Sequence, residues 1–282
     1  MDKIVIFGEG YVAGKFKQVL PQAVTTKEDI SDLVKVNAVL RQHNPDVVIN
    51  CAGKTGRPTV DWCESHMDET WKSNVLGPQV LAYACLENNV FLAHVGSGCV
   101  YEGDNAGRGY SEEDAPNFFG SYYSRTKIAS EQALDLLPVL QLRLRMPVDC
   151  IPGPRNFITK ITNYKRVISV PNSISVMDDF VFAAIKLIDY RAKGVYNVVN
   201  PGSITHKEIL DMYREIVNPA FVYELFSVDE LHRETVAKRS NCVLSTKKIE
   251  TLEILVPEIH GVIRKTLITY KNNLMGKHKQ SL

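Results

Sequence analysis

Short apolar runs alternate with amphipathic stretches through the first half of the chain. Residues 3–7 (KIVIF) predict a buried strand, and residues 11–20 carry helical spacing that Pro21 stops. A brief strand follows at 23–26, then a helix over 34–43 with Ser31 or Asp32 available as its cap. Residues 46–51 (DVVINC) predict another buried strand. A long helical stretch over about 63–88 is interrupted near Gly77-Pro78. Residues 91–96 predict a fourth strand, 103–109 a glycine-rich loop, 121–137 a helix and 139–145 a strand. Strands and helices alternating in this way predict an α/β fold, a doubly wound parallel sheet of Rossmann type.

Beyond Pro147 the pattern loosens, with Pro152, Pro154, Pro171 and Pro201 punctuating short elements. Residues 178–190 and 207–217 read as helices and 194–199 as a strand. The predicted division is a dinucleotide-binding domain over 1–147 and a smaller substrate-binding part over 148–282, with a strand available to return to the main sheet. The polar, basic end at 271–282 is expected to fray.

Composition narrows the class. Of 282 residues, 45% are hydrophobic and 23% charged, a globular balance that excludes a disordered chain. The net charge of +1 leaves no basic excess for nucleic acid or an anionic membrane. No apolar run approaches the roughly 18 residues of a membrane span. The start Met-Asp-Lys leads directly into a strand rather than a signal peptide. The six cysteines form no CxxC pair. A reduced, cytoplasmic protein with no metal site is the simplest expectation.

The candidate chemistry begins at Gly8-Glu9-Gly10-Tyr11-Val12-Ala13-Gly14, which joins the first strand to the first helix. Gly8 permits the tight turn, Gly10 lets the backbone approach a pyrophosphate, and the helix N-terminus attracts the phosphates. Tyr11 and Val12 stand at the same helix start. Past the second strand, Lys27 is placed to meet a 2′-phosphate, while Asp29 and Ile30 fall at the adenine edge. That favours NADP(H) and leaves NAD(H) open. Tyr123 and Lys127 lie at i and i+4 on one helix face, where an ammonium beside a phenol would lower the phenol's pKa. Ser97 closes the fourth strand, at the end where a doubly wound sheet carries its chemistry. Cys99 comes two residues later, so an extended strand end would turn both side chains toward one pocket. His94, on the same strand, reads as structural.

Glycine loop, Ser97, Tyr123 and Lys127 in this order resemble the extended short-chain dehydrogenase/reductase family. Longer runs narrow the likeness. Residues 50–58 (NCAGKTGRP), 61–66 (DWCESH), 97–102 (SGCVYE), 116–118 (PNF), 154–160 (PRNFITK), 171–173 (PNS), 200–202 (NPG) and 239–241 (RSN) resemble those of the bifunctional UDP-4-keto-6-deoxyglucose 3,5-epimerase/4-reductases. The similarity extends over roughly residues 3 to 270. One departure is the glycine loop, which is one residue shorter than the family's usual GxxGxxG.

The resemblance implies an NADPH-dependent enzyme that epimerises a UDP-4-keto-6-deoxy sugar at C3 and C5 and then reduces C4, giving UDP-L-rhamnose. It implies Ser97, Tyr123 and Lys127 for the reduction, Cys99 as the epimerisation base and Lys160 as its partner acid. Cys51, Ala52 and Gly53 would border the cofactor. Arg57, Cys63, Glu64, Asn156 and Arg239 are candidate sugar and diphosphate contacts. The likeness leaves homodimer assembly open. Two alternatives stay in view: a reductase-only enzyme, against which Cys99 speaks, and a non-catalytic NADP-binding regulatory subunit, against which the complete Ser97, Tyr123 and Lys127 set speaks.

Overall fold

The computed structural model describes residues 2–279. Six parallel strands make the central sheet: β1 (Ile4–Phe7), β2 (Val24–Thr26), β3 (Val47–Asn50), β4 (Phe91–Ser97), β5 (Leu140–Leu144) and β7 (Gly194–Asn197). A separate pair, β6 (Arg166–Val167) and β8 (Glu224–Leu225), forms a second small sheet. The main sheet runs β2-β1-β3-β4-β5-β7, so the winding reverses between β1 and β3. Ligand crevices in doubly wound sheets open at such a reversal, beyond the carboxyl ends of the strands.

Alternation along β1 shows why the sheet is apolar on both faces. Ile6 joins one core with Phe16 of α1 (Tyr11–Val19) and Phe180 of α8 (Met177–Asp189). Its neighbours Val5 and Phe7 turn to the other face. There they meet Val36 and Leu40 of α2 (Leu33–His43), Leu81 of α5 (Gly77–Glu87) and Leu134 of α6 (Tyr122–Leu134). Asp32 caps α2, accepting from Val34 and Lys35 N–H at 3.1 and 3.2 Å. A third core packs α7 (Phe157–Ile161) and α9 (His206–Ile216) against α12 (Ile259–Lys279).

The long helical stretch is interrupted just before Gly77-Pro78, as expected, and also earlier, at His66. It comprises α3 (Trp62–Ser65), α4 (Met67–Trp71), a π-turn at Lys72–Leu76 and α5. Gly77 and Pro78 continue helically, and Gly77 N–H reaches back five residues to Lys72 O. Pro78 has no N–H to return to Asn74, so the widened turn just before it absorbs the missing bond. The chain end is helical rather than frayed as far as Lys279, with Asn273 Nδ2 donating to Cys150 O at 2.9 Å. Residues 280–282 of that expected frayed end lie outside the described residues. Short helices α10 (Val228–Glu234) and α11 (Lys247–Glu250) complete the fold. No helix among the described residues is long and apolar enough to cross a membrane.

Candidate active site

One cavity of about 920 Å³ opens beyond the carboxyl ends of β1, β3, β4 and β5. Gly10, Tyr11 and Val12 line it from the start of α1, and Cys51, Ala52 and Gly53 from the turn after β3. Gly8 lies beneath, at φ +106°, and a Cβ there would sit 3.0 Å from Ala52 N and 3.1 Å from the Cys51 carbonyl carbon. Only glycine lets the ends of β1 and β3 approach so closely. At Gly10, by contrast, nothing lies within 4 Å of a Cβ position, and α1 has neither an acidic first turn nor a side-chain cap. Its N-terminal amides are therefore free for an anion, and the loop suits the diphosphate of a dinucleotide despite its shorter spacing. Asn50 shapes the opposite wall, accepting from Ala52 N–H at 3.0 Å and bonding the buried His94 ring at 3.0 Å. His94 is thus structural, and burial lowers its pKa well below the usual value.

Ser97, Cys99, Tyr123, Lys127 and Lys160 all line this cavity. Ser97 ends β4, and its Oγ accepts the Cys99 N–H at 3.1 Å. Tyr123 and Lys127 are buried on one face of α6, whose start is held by Ser121 Oγ, accepting Ser124 N–H at 3.1 Å, and by Glu64 Oε1, accepting Tyr122 N–H at 2.6 Å. Burial raises the Tyr123 phenol above its ordinary value, Cys99 adds to the rise, and a hydrogen bond with Ser97 opposes it. The groups that pull the phenol down are Ser97 and Arg145 rather than the expected Lys127, whose own ammonium burial brings down to about 8. Burial, with Arg155 nearby, also lowers Lys160.

Several candidates stand elsewhere. Lys27 is exposed beyond the cavity. Asp29 is held by Lys72 Nζ at 2.9 Å and Ser31 Oγ at 2.7 Å, and Ile30 is buried in the core against Gly77. Cys63 is fully buried and Glu64 is spent on the α6 N-terminus, so neither faces the cavity. Asn156 is buried as the cap of α7, accepting Ile158 N–H at 3.0 Å and donating to Asp149 O and Ile151 O. Its amide has nothing left for a sugar. Arg57 and Arg239 do line the cavity, although Arg239 is bound bidentately by Asp61 at 2.9 and 2.6 Å.

Residues 11–270 match the family model described as RmlD substrate binding domain. The chain belongs to this family. RmlD-type relatives include a bifunctional dTDP-4-dehydrorhamnose 3,5-epimerase/reductase of Arabidopsis thaliana, 41% identical over 86% of this chain and 81% of that protein. A trifunctional UDP-glucose 4,6-dehydratase/3,5-epimerase/reductase of the same plant is 39% identical over 88% of this chain. The chain spans only 39% of that relative's length. Among solved structures, the UDP-rhamnose synthase of Acanthamoeba polyphaga mimivirus superposes with a TM-score of 0.91 at 33% identity, covering 95% of this chain and 99% of that one. The likeness to epimerase/reductases of rhamnose synthesis therefore extends well beyond the motif runs.

Within this RmlD-type fold, sequence reasoning missed three residues. Arg145, just past β5, places Nη1 2.9 Å from Cys99 Sγ. Arg155 bridges Thr55 Oγ1 and Gly56 O at 3.1 Å each, fixing the cavity wall beside Asn156. Asn74, in the π-turn, accepts Lys54 N–H at 2.7 Å and donates to Thr126 Oγ1 at 3.1 Å, tying the loop after β3 to α6. For Arg145 the available signal was chemical, a charged side chain in an otherwise apolar run, Leu-Arg-Leu-Arg; Arg155 and Asn74 lie in polar stretches that carry none.

Proposed function

We propose that this chain epimerises UDP-4-keto-6-deoxy-D-glucose at C3 and C5 and then reduces C4 with NADPH, yielding UDP-L-rhamnose. The observation that carries the reading is the gathering of Ser97, Cys99, Tyr123, Lys127 and Lys160 around one cavity beside an uncapped helix start. The named relatives support the substrate class. The loop at Gly10 and the turn at Cys51–Gly53 would hold the dinucleotide, and Lys27, exposed beyond the cavity, would favour NADPH only if the adenosine end extends that far. When bound, the nicotinamide supplies the hydride.

Cys99, as thiolate, takes the proton from C3 or C5, and the C–H electron pair passes into the C4 carbonyl as an enolate. Ser97 and the protonated Tyr123 donate hydrogen bonds to that oxygen. Lys160 delivers a proton to the opposite face, and its lowered pKa eases that release. Both groups then exchange protons with solvent, so no oxidant is consumed. In the reduction, Tyr123 protonates the C4 oxygen as hydride arrives at C4. Its raised pKa keeps the phenol protonated until then. Arg57 would meet the diphosphate; Arg239 would do so only on leaving Asp61. All these residues come from one chain, so the reading requires no partner copy. Product analysis by NMR tests it, offering UDP- and dTDP-keto sugars with NADPH and with NADH. UDP-L-rhamnose formed fastest with NADPH is expected. Keto sugar left unreduced with both cofactors would sink the assignment.

A further inference from the structure

Two arginines leave β5, and their surroundings differ. Arg143 is buried and balanced by Glu131, which it meets through Nε at 2.8 Å and Nη2 at 2.7 Å. Arg145 is equally buried, but its Nη2 donates to neutral acceptors, Asn172 Oδ1 and Ser240 O. Its Nε has no hydrogen-bond partner among the described residues. Glu102 is the carboxylate that acts on it, but no ion pair within 4.0 Å joins the two. A guanidinium does not lose its proton, and a buried charge without a counter-charge is costly. An acid in direct contact with the guanidinium would balance it best, and the groups close enough are sulphurs.

Of the two thiols, Cys242 is the poorer candidate. Its Sγ donates to Gly98 O at 3.3 Å, it lies off the cavity, and burial raises its pKa. Cys99 lines the cavity with its Sγ 2.9 Å from Arg145 Nη1. The other groups facing Cys99 are Tyr123 and Lys127 on α6. Lys127 loses its charge near pH 8, whereas Arg145 keeps its own.

We propose that Arg145 arms Cys99 for proton abstraction, its fixed cation balancing the negative charge on the sulphur. This rests on the reading of Cys99 as the epimerisation base. Arg145 then acts as a positioning residue, working through the sulphur rather than on the sugar. A low-dielectric pocket strengthens such a pairing, and Asn172 and Ser240 fix the guanidinium against the thiol.

The test compares wild type, Arg145→Met and Arg145→Lys. Iodoacetamide labelling of Cys99 is followed by peptide mass spectrometry as a function of pH, after circular dichroism has confirmed the fold. The labelling midpoint should rise by at least about one pH unit in Arg145→Met, a tenfold loss of thiolate at neutral pH. It should rise less in Arg145→Lys, which keeps a cation and guards against a folding failure of the methionine variant. Deuterium exchange at C3 and C5 should fall in parallel at neutral pH and recover in alkali, a recovery that a merely structural defect would not show. Overlaid labelling profiles in all three proteins, with exchange abolished in Cys99→Ala, would overturn the role of Arg145 alone. Normal exchange in a folded Cys99→Ala protein would instead overturn the reading of Cys99, and this proposal with it.

Discussion

Replacing Tyr123 by Phe removes one oxygen from the centre of the cavity, and the structure separates its effects on stability and on catalysis. The ring stays packed on α6, with 8% of the residue exposed. The Ser97 hydroxyl keeps the Cys99 N–H at 3.1 Å when the phenol leaves, so no buried group is orphaned. The stability cost is that of one net hydrogen bond, about 0.5–1.5 kcal/mol. The reaction loses its proton donor, for which general acid catalysis sets a loss of about a hundredfold to ten-thousandfold. At 1.36 kcal/mol per decade, that raises the barrier by about 2.7–5.4 kcal/mol, well above the stability change. The assay is NADPH oxidation on a pre-epimerised 4-keto sugar, with thermal unfolding and cofactor titration as controls. A fall in kcat of at least about a hundredfold, with cofactor affinity unchanged, is expected. A folded Tyr123→Phe protein within about fivefold of wild-type kcat would refute the proton-donor role.

Reduction should also depend on pH through Lys127, whose ammonium burial brings down to about 8. A lysine is cationic below its pKa, so the rate should hold on the acid side of that value and decline as pH rises through it. The raised Tyr123 phenol does not titrate in that window. A kcat profile flat through this range would contradict an ammonium role. Gly8→Ala would place a Cβ at φ +106° and against the Ala52 and Cys51 backbone at 3.0 and 3.1 Å. Positive φ alone costs about 1–3 kcal/mol. An unfolding free energy lowered by at least about 2 kcal/mol in denaturant titration is expected, and an unchanged midpoint would refute the close-approach argument.

Periodic features were legible in the sequence. The apolar strand runs, the glycine loop after the first of them and the i, i+4 pairing of Tyr123 with Lys127 carry their own geometry. So does the strand-end position of Ser97. Partner choice was not legible. Asn156 and Arg155 are neighbours of similar polarity, yet the amide turns inward to cap α7 while the guanidinium lines the cavity. Cys63 and Glu64 share a helical turn near the cavity, yet burial takes up Cys63 and the start of α6 takes up Glu64. The partner of Arg145 lies 46 residues away in sequence, on another strand end, and only the parallel pairing of β4 with β5 brings the two together. The π-turn likewise depends on where the chain makes up for the N–H that Pro78 lacks.

The measurement that bears most directly on the double activity is solvent deuterium incorporation into the keto sugar in heavy water, with oxidised cofactor so that reduction is silent. Wild-type protein should label both C3 and C5, because the 4-keto group makes each neighbouring C–H bond acidic and Cys99 and Lys160 share the cavity with it. Cys99→Ala should leave both positions unlabelled yet still reduce a sugar epimerised beforehand. No label in the wild type, with reduction intact, would contradict the double activity and leave a reductase alone.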